Sequence, residues 1–311
     1  MEAQLGGIHH ITAIAGDPQR NLDFYTQVLG LRMVKLTVNF DDPGTYHFYF
    51  GDRAGAPGTI LTFFPWAGAR RGQRGNGQVA TTAFSVPAGS LDYWQERLAQ
   101  HDVAVAERVQ RFGEEVLPFR DPDGLHLELV ADEAAAGDPW TEGPAPADHA
   151  IRSFHHATLW EADVEPTAVL LTEAMGFELA GQDGDRFRFR AAEGPAGVVD
   201  ILRRSGEPSG RMGAGIVHHI AYRTASDEEQ QAWRERLLAQ GQQVTPVRDR
   251  QYFRSIYFRE PGGVLFEIAT DLPGFATDEA LEELGMELKL PPWLEPRRAE
   301  LEQVLPRLER N

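Results

Sequence analysis

Apolar residues recur along this chain in two rhythms that alternate in a fixed order. Residues 7–14 form a nearly continuous apolar run, which reads as a buried strand. Asp17 and Pro18 then supply a helix cap and a first helical position. Leu22, Tyr25 and Leu29 follow at helical spacing, and Gly30 is a natural stop. Three extended runs come next, at 32–38, 46–50 and 59–64. The same order begins again at residues 79–86, followed by a helix from Ser90 that carries Leu91, Trp94 and Leu98 on one face. Strands then lead to RDPDGLHLELVAD. A third unit starts at Phe154 and a fourth at Gly215. The fourth unit's helix opens with Ser226 and Glu229, spaced as a capping box, and turns Trp233 and Leu237 inward.

These units are copies. At a spacing of 139 positions (233 less 94), Trp94 falls on Trp233, Arg111 on Arg250, Glu128 on Glu267 and Asp132 on Asp271. At a spacing of 146 (155 less 9), His9 falls on His155, His10 on His156, Thr12 on Thr158 and Gly30 on Gly176. Coincidence at fixed spacing over so many residue types is implausible, so the chain is a duplicated pair of βαβββ units in an α+β fold. The predicted organisation is an N-terminal pair over residues 1–132, a linker over 133–152 rich in Ala, Pro, Gly and acid, a C-terminal pair over 153–271, and a helical tail over 272–311. In the tail, Leu281, Leu284 and later Leu301, Leu305 and Leu308 sit at helical spacing; it packs either on the sheets or on another subunit of a homo-oligomer. The Gly- and Arg-rich stretch 66–77 reads as a mobile connection, with a lid over a site as the alternative.

Composition narrows the chemistry. With 47 acidic against 30 basic residues the formal charge is -17, a field that repels phosphate backbones, so no nucleic-acid partner is expected. No apolar run approaches the roughly 20 residues that span a bilayer, and no apolar signal core follows the start, which predicts a cytoplasmic protein without a membrane partner. The absence of cysteine excludes disulfides, zinc–thiolate sites and a thiol nucleophile.

Six of the ten histidines lie in three adjacent pairs: His9 and His10, His155 and His156, His218 and His219, each within a predicted strand. Glu267 is the only charge in the apolar run GGVLFEIAT. A carboxylate buried there costs several kcal/mol unless it is paired or holds a metal. Because side chains alternate along a strand, only one His of each pair can face the sheet interior. Unit four supplies His219 and Glu267, and the third ligand is His10 or His156. Either pairing of units leaves a companion site short of a ligand, since the residue 139 before His219 is Ala80. The repeat alone does not choose between the two. His155 and His156 also fit plain core positions, and His47, His101, His126 and His149 read as structural or exposed. Arg250 fits a structural ion pair as well as a functional role, given its mate Arg111, and Tyr257 fits simple packing.

Four βαβββ units with strand histidines resemble the vicinal oxygen chelate superfamily of glyoxalases, bleomycin-binding proteins and extradiol dioxygenases. The stretches GIHHIT, KLTVNFDDPGTYHFYFGD, PGTILTFFP, VHHIAY, DRQYFRSIYFREPGGVLFE and LGMELK resemble its branch of para-hydroquinone ring-cleaving dioxygenases. The resemblance implies two curved mixed β-sheet half-barrels with helices outside. It implies Fe(II), with Mn or Zn as substitutes, bound by His10, His219 and Glu267. It implies further that His9, Thr12, His218, Arg250 and Tyr257 surround the metal. Tyr257 and Arg250 are expected to stabilise substrate and oxygen intermediates, and a neighbouring His or Thr12 to handle protons. Strict alternation, however, points His9 and His218 away from the metal. The implied partners are a small aromatic substrate and O2. Two imidazoles and a carboxylate with open positions suit non-haem Fe(II). A catechol extradiol dioxygenase would use the same ligands. A glyoxalase-type isomerase wants a second carboxylate, where unit one offers Thr62; in a site built from units three and four, Asp200 lies near that position. A binding protein without the full triad is the remaining alternative.

Overall fold

The computed structural model describes residues 5–192 and 196–309. Unit one contributes β1 (Ile8–Ala15), β2 (Arg32–Asn39), β3 (Asp42–Gly51) and β4 (Ile60–Pro65). Unit two contributes β5 (Gln78–Pro87), β6 (Val109–Arg111), β7 (Glu114–Arg120) and β8 (His126–Asp132). Unit three adds β9 (Ser153–Glu161), β10 (Glu178–Asp183), β11 (Arg186–Arg190) and β12 (Val198–Arg203). Unit four adds β13 (Ile216–Thr224), β14 (Arg248–Asp249), β15 (Arg254–Arg259) and β16 (Leu265–Thr270). Each unit has one helix before its last three strands: α1 (Pro18–Asp23), α2 (Leu91–Gln100), α3 (Glu165–Val169) and α4 (Asp227–Ala239). Asp17 caps α1 by accepting from the Arg20 N–H at 2.7 Å, with Pro18 at the first helical position. Ser226 caps α4 through Glu229 N–H, and Glu229 reaches back to the Ala225 N–H. Leu91, Trp94 and Leu98 on α2, and Trp233 and Leu237 on α4, are buried against the sheets as their spacing requires.

Two eight-stranded mixed sheets result, each curled into a half-barrel, in the orders β14-β15-β16-β13-β1-β4-β3-β2 and β10-β11-β12-β9-β5-β8-β7-β6. Unit one therefore shares a sheet with unit four, and unit two with unit three. Each sheet joins strands from both halves of the sequence, through the antiparallel pairs β1/β13 and β5/β9. Both central ladders contain irregularities. In β1/β13 the register shifts on either side of the run in which His10 faces Ala221 and Thr12 faces His219, which leaves His9 and His218 as the extra residues. The second sheet pairs Thr158 with Thr81, so the counterpart of His219 is Thr81, one position from the Ala80 that a gap-free repeat selects.

The stretch 66–77 is neither a mobile connection nor a free lid. It pairs with its counterpart after unit three, with Gly72 N–H to Ala214 O at 3.0 Å and reciprocal bonds between Gln73 and Arg211 at 2.9 and 2.7 Å. Gly75 permits this approach: a Cβ there would stand 2.5 Å from Pro208 O. The tail packs on its own chain's sheet. Lys289 N–H donates to Leu36 O at 2.9 Å, and Phe275 packs on Tyr49 and Tyr252. Fully buried Lys35 holds Asp278 at 2.6 Å and Glu279. The only α-helix described in the tail is α5 (Arg298–Val304), because Gly285, Pro291, Pro292 and Pro296 interrupt the leucine spacing. No helix of the described residues is long and apolar enough to cross a membrane.

Glu161, at the end of β9, and Glu260, in the β15–β16 turn, meet across the Thr167 hydroxyl at 2.8 and 2.6 Å. A hydroxyl has one proton and cannot donate to both. Glu260 also accepts the Gly262 and Val264 N–H groups at 2.7 and 2.6 Å, so it is the ionised partner and Glu161 holds the proton. Burial, with Glu260 beside it, pushes Glu161 up to about 8. A raised carboxyl pKa favours the fold fully below the unfolded value, and this contribution is lost as pH rises toward 8. Glu161→Gln is accordingly expected to flatten the fall in stability between about pH 5 and 8, on the order of 2–4 kcal/mol, in urea melts.

Candidate metal centre and aromatic cavity

β1, β13 and β16 run side by side, and together they bring three distant side chains to one point. His10 Nε2 lies 3.2 Å from His219 Nε2 and 3.4 Å from a Glu267 carboxylate oxygen, with His219 Nε2 3.0 Å from the same oxygen. All three residues are buried, and their donor atoms lie within 4.8 Å of one another. Among the described residues this is the one group of three metal-ligating side chains so arranged. Ser255 donates to Glu267 Oε1, whereas Glu267 Oε2 is buried with no hydrogen-bond partner. An orphaned carboxylate oxygen facing two imidazole nitrogens is what a cation would satisfy, so the donor set fits a divalent metal. Burial drives the Glu267 carboxyl pKa up, but His10 and His219 hold it well below the usual carboxylate range. Burial lowers His219, which keeps a ring nitrogen free to ligate.

The bulges account for the doubled histidines. With alternation broken at His9 and His218, each extra ring turns to its neighbour: His9 Nδ1 lies 2.9 Å from His10 Nδ1, and His218 Nδ1 lies 2.8 Å from His219 Nδ1. A neutral His10 that donates its Nδ1–H to His9 keeps the Nε2 lone pair for the site. His9 thus orients the His10 ring and is absent from the cavity wall, whereas His218 lines the cavity.

A cavity of about 370 Å³ opens on His10 and His219. Its walls are aromatic. Phe253 packs on the His10 ring at 5.0 Å, and His47 packs on Phe64 at 4.4 Å, with Trp66 beyond. Polar side chains share the lining, among them Asn39, Asp41, Arg248, Arg250 and Tyr257. Arg250 Nε donates to the Tyr257 hydroxyl at 3.1 Å, and its Nη1 meets Asp41 at 3.0 Å. Burial, then Glu267, drives the Tyr257 pKa upward, so its phenol is neutral. Thr12, buried beneath, bonds Thr62 at 2.8 Å; Thr62 bonds His47 at 2.9 Å, and His47 bonds Tyr49 at 2.9 Å. Sequence reasoning missed Phe253 and Ser255, in DRQYFRSIYFREPGGVLFE, and also His47 and Asp41. The latter two lie in the long motif KLTVNFDDPGTYHFYFGD, which was the available signal. A roomier cleft of about 820 Å³ is lined by Phe24, Val28 and Phe119 and also by His101, Asp121 and His126, but among the described residues no three of its ligating groups converge as His10, His219 and Glu267 do.

The second sheet shows what disables a copy. His156 Nε2 lies 3.6 Å from Glu128 and 3.7 Å from Asp200, but the position of Tyr257 is taken by Pro118, opposite Glu128. Arg111, lacking that phenol, turns its Nη1 onto both Glu128 oxygens at 2.7 Å. Arg186 and Arg188 bind Asp200, which stands at the counterpart of Thr62. Guanidiniums supply the positive charge a metal would bring. Asp200 therefore lies in the other sheet, and the His10 site has Thr62 where an isomerase would place its second carboxylate.

Comparison with known proteins agrees with this architecture. A family model described as Glyoxalase/Bleomycin resistance protein/Dioxygenase superfamily matches residues 7–129 and 153–268. The chain is 53% identical, over 96% of its length and 95% of the other, to a Bacillus subtilis protein that carries the name ring-cleaving dioxygenase MhqO. It is 37% identical, over 95% and 94%, to the chlorohydroquinone/hydroquinone 1,2-dioxygenase of Sphingobium indicum. A Bacillus subtilis crystal structure described as a dioxygenase superposes with a TM-score of 0.95 at 51% identity, covering 99% of this chain and 98% of that one. Glyoxalase I from Zea mays shares the fold at a TM-score of 0.62 and 15% identity, over 85% and 92%. The chain belongs to the glyoxalase/bleomycin resistance protein/dioxygenase superfamily, among relatives named as ring-cleaving dioxygenases.

Proposed function

We propose that this protein is a ring-cleaving dioxygenase that inserts both atoms of O2 into a hydroquinone, at an Fe(II) ion held by His10, His219 and Glu267. The observation that carries the reading is the orphaned Glu267 oxygen facing two imidazoles at the floor of an aromatic cavity. The names of relatives at 37–53% identity support it. When bound, the metal supplies a Lewis acid that acidifies a phenol and a centre at which O2 reacts with the ring.

The chain's own groups do the rest. His9 and His218 fix the ligand imidazoles through Nδ1, and Ser255 fixes Glu267. Phe253, Phe64 and the His47 ring sandwich the substrate and exclude water, which strengthens every charge interaction inside. Tyr257 donates its O–H to a substrate oxygen, and Arg250 behind it stabilises negative charge that develops there. Thr12 passes protons through Thr62 and His47, each of which can both donate and accept. The test is O2 uptake by anaerobically Fe(II)-loaded protein with methylhydroquinone and with catechol. Uptake with the first and little with the second is expected; preference for catechol would move the protein to the other extradiol class, and uptake with neither would refute the reading.

A further inference from the structure

The ion pair between Asp41 and Arg250 joins the two units at the wall of the cavity. Asp41 comes from the β2–β3 turn of unit one, and Arg250 from the end of β14 in unit four. The turn is braced on both sides. Asn39 Oδ1 accepts the Asp41 N–H at 3.0 Å, Trp66 Nε1 donates to Asp42 at 2.8 Å, and Phe40 packs on Trp293 at 5.6 Å. Asn39, Phe40, Asp41 and Arg250 all line the cavity. The Asp41 side chain is 64% exposed and that of Arg250 19%. A pair with one exposed partner is held weakly enough to open and close.

We propose that this pair is a latch that stays closed as the uncharged substrate enters and is opened by the carboxylate of the product, with Asp41 as the positioning residue for Arg250. The proposal rests on the ring-cleavage reading above. Insertion of O2 beside a phenol hydroxyl breaks one ring C–C bond. The hydroxyl-bearing carbon becomes a carboxylic acid and its neighbour a carbonyl; both oxygen atoms stay in the product, and the ring supplies all the electrons. The hydroquinone enters uncharged and gives Arg250 no reason to leave Asp41. The acid ionises at neutral pH, and its carboxylate competes with Asp41 for the same guanidinium. Asp41 thereby orients Arg250 toward Tyr257 before reaction and returns to it as product departs.

The test uses the Fe(II)-loaded protein and its Asp41→Asn and Asp41→Glu variants. With Arg250 unopposed, Asp41→Asn is expected to bind 4-hydroxybenzoate about fivefold more tightly by calorimetry, the scale of an exposed pair, while 4-hydroxybenzamide changes less than about twofold. In turnover the same variant should show a lower kcat and stronger product inhibition with little change in KM, and Asp41→Glu should restore wild-type behaviour. Weaker benzoate binding in Asp41→Asn, or equal shifts for acid and amide, would overturn the latch. The binding arm needs no turnover, so it decides the latch even if hydroquinones give no O2 uptake, a result that would count against ring cleavage alone.

Discussion

Glu267→Gln is expected to lose its metal and to lower O2 uptake with methylhydroquinone by at least about a thousandfold, roughly 4 kcal/mol of transition-state stabilisation. The carboxylate supplies the only negative charge among the three donors, and the two histidines keep it ionised. The amide removes that charge while keeping the shape and an acceptor for Ser255, so the fold should survive, as circular dichroism would check. Ser255→Ala is the milder companion. It frees Glu267 Oε1 without touching the charge, and a loss of about 10–100-fold in metal affinity is the scale for such a support. Metal content by elemental analysis and O2 uptake should fall together in both variants. A Glu267→Gln protein that keeps a full equivalent of metal would remove this residue from the ligand set.

The second large effect is expected at Tyr257 and Arg250. Tyr257→Phe deletes one neutral phenol that can donate to a charged oxygen, and removing one such donor costs about 100–1,000-fold in kcat. KM should move only a few-fold, because the interaction gains its strength as charge develops. Arg250→Ala should cost as much or more, since it removes the cation and leaves the Tyr257 phenol unsupported. The double variant should fall little below the worse single one, because the two side chains act through one hydrogen bond. Steady-state kinetics that left kcat unchanged in both single variants would reduce them to structural roles.

The repeat made most of the fold legible. A spacing of 139 positions carries Trp94 onto Trp233, and both lie buried on equivalent helices. Three features were hidden, each for a physical reason. Pairing of unit one with unit four is a long-range choice that identical units do not encode locally, so His10 and His156 were equivalent on the repeat alone. The bulges at His9 and His218 leave no mark on an apolar run, yet they turn two rings that alternation sends away into partners of the ligands. Asp41 sits in an ordinary polar turn, and nothing near it in sequence announces Arg250, 209 positions on. The tail's leucines read as helix until prolines and Gly285 are counted as breakers.

The central claim is that His10, and not its repeat mate His156, completes the metal site. The two residues share a neighbouring His, a strand position and burial, but only His10 stands beside His219. His156 faces Glu128 and Asp200, whose charges arginines already satisfy. The direct measurement is metal content per chain, with O2 consumption on methylhydroquinone, for His10→Ala beside His156→Ala after anaerobic Fe(II) loading. Metal and uptake lost in His10→Ala and kept in His156→Ala is the predicted result; loss confined to His156→Ala would contradict it.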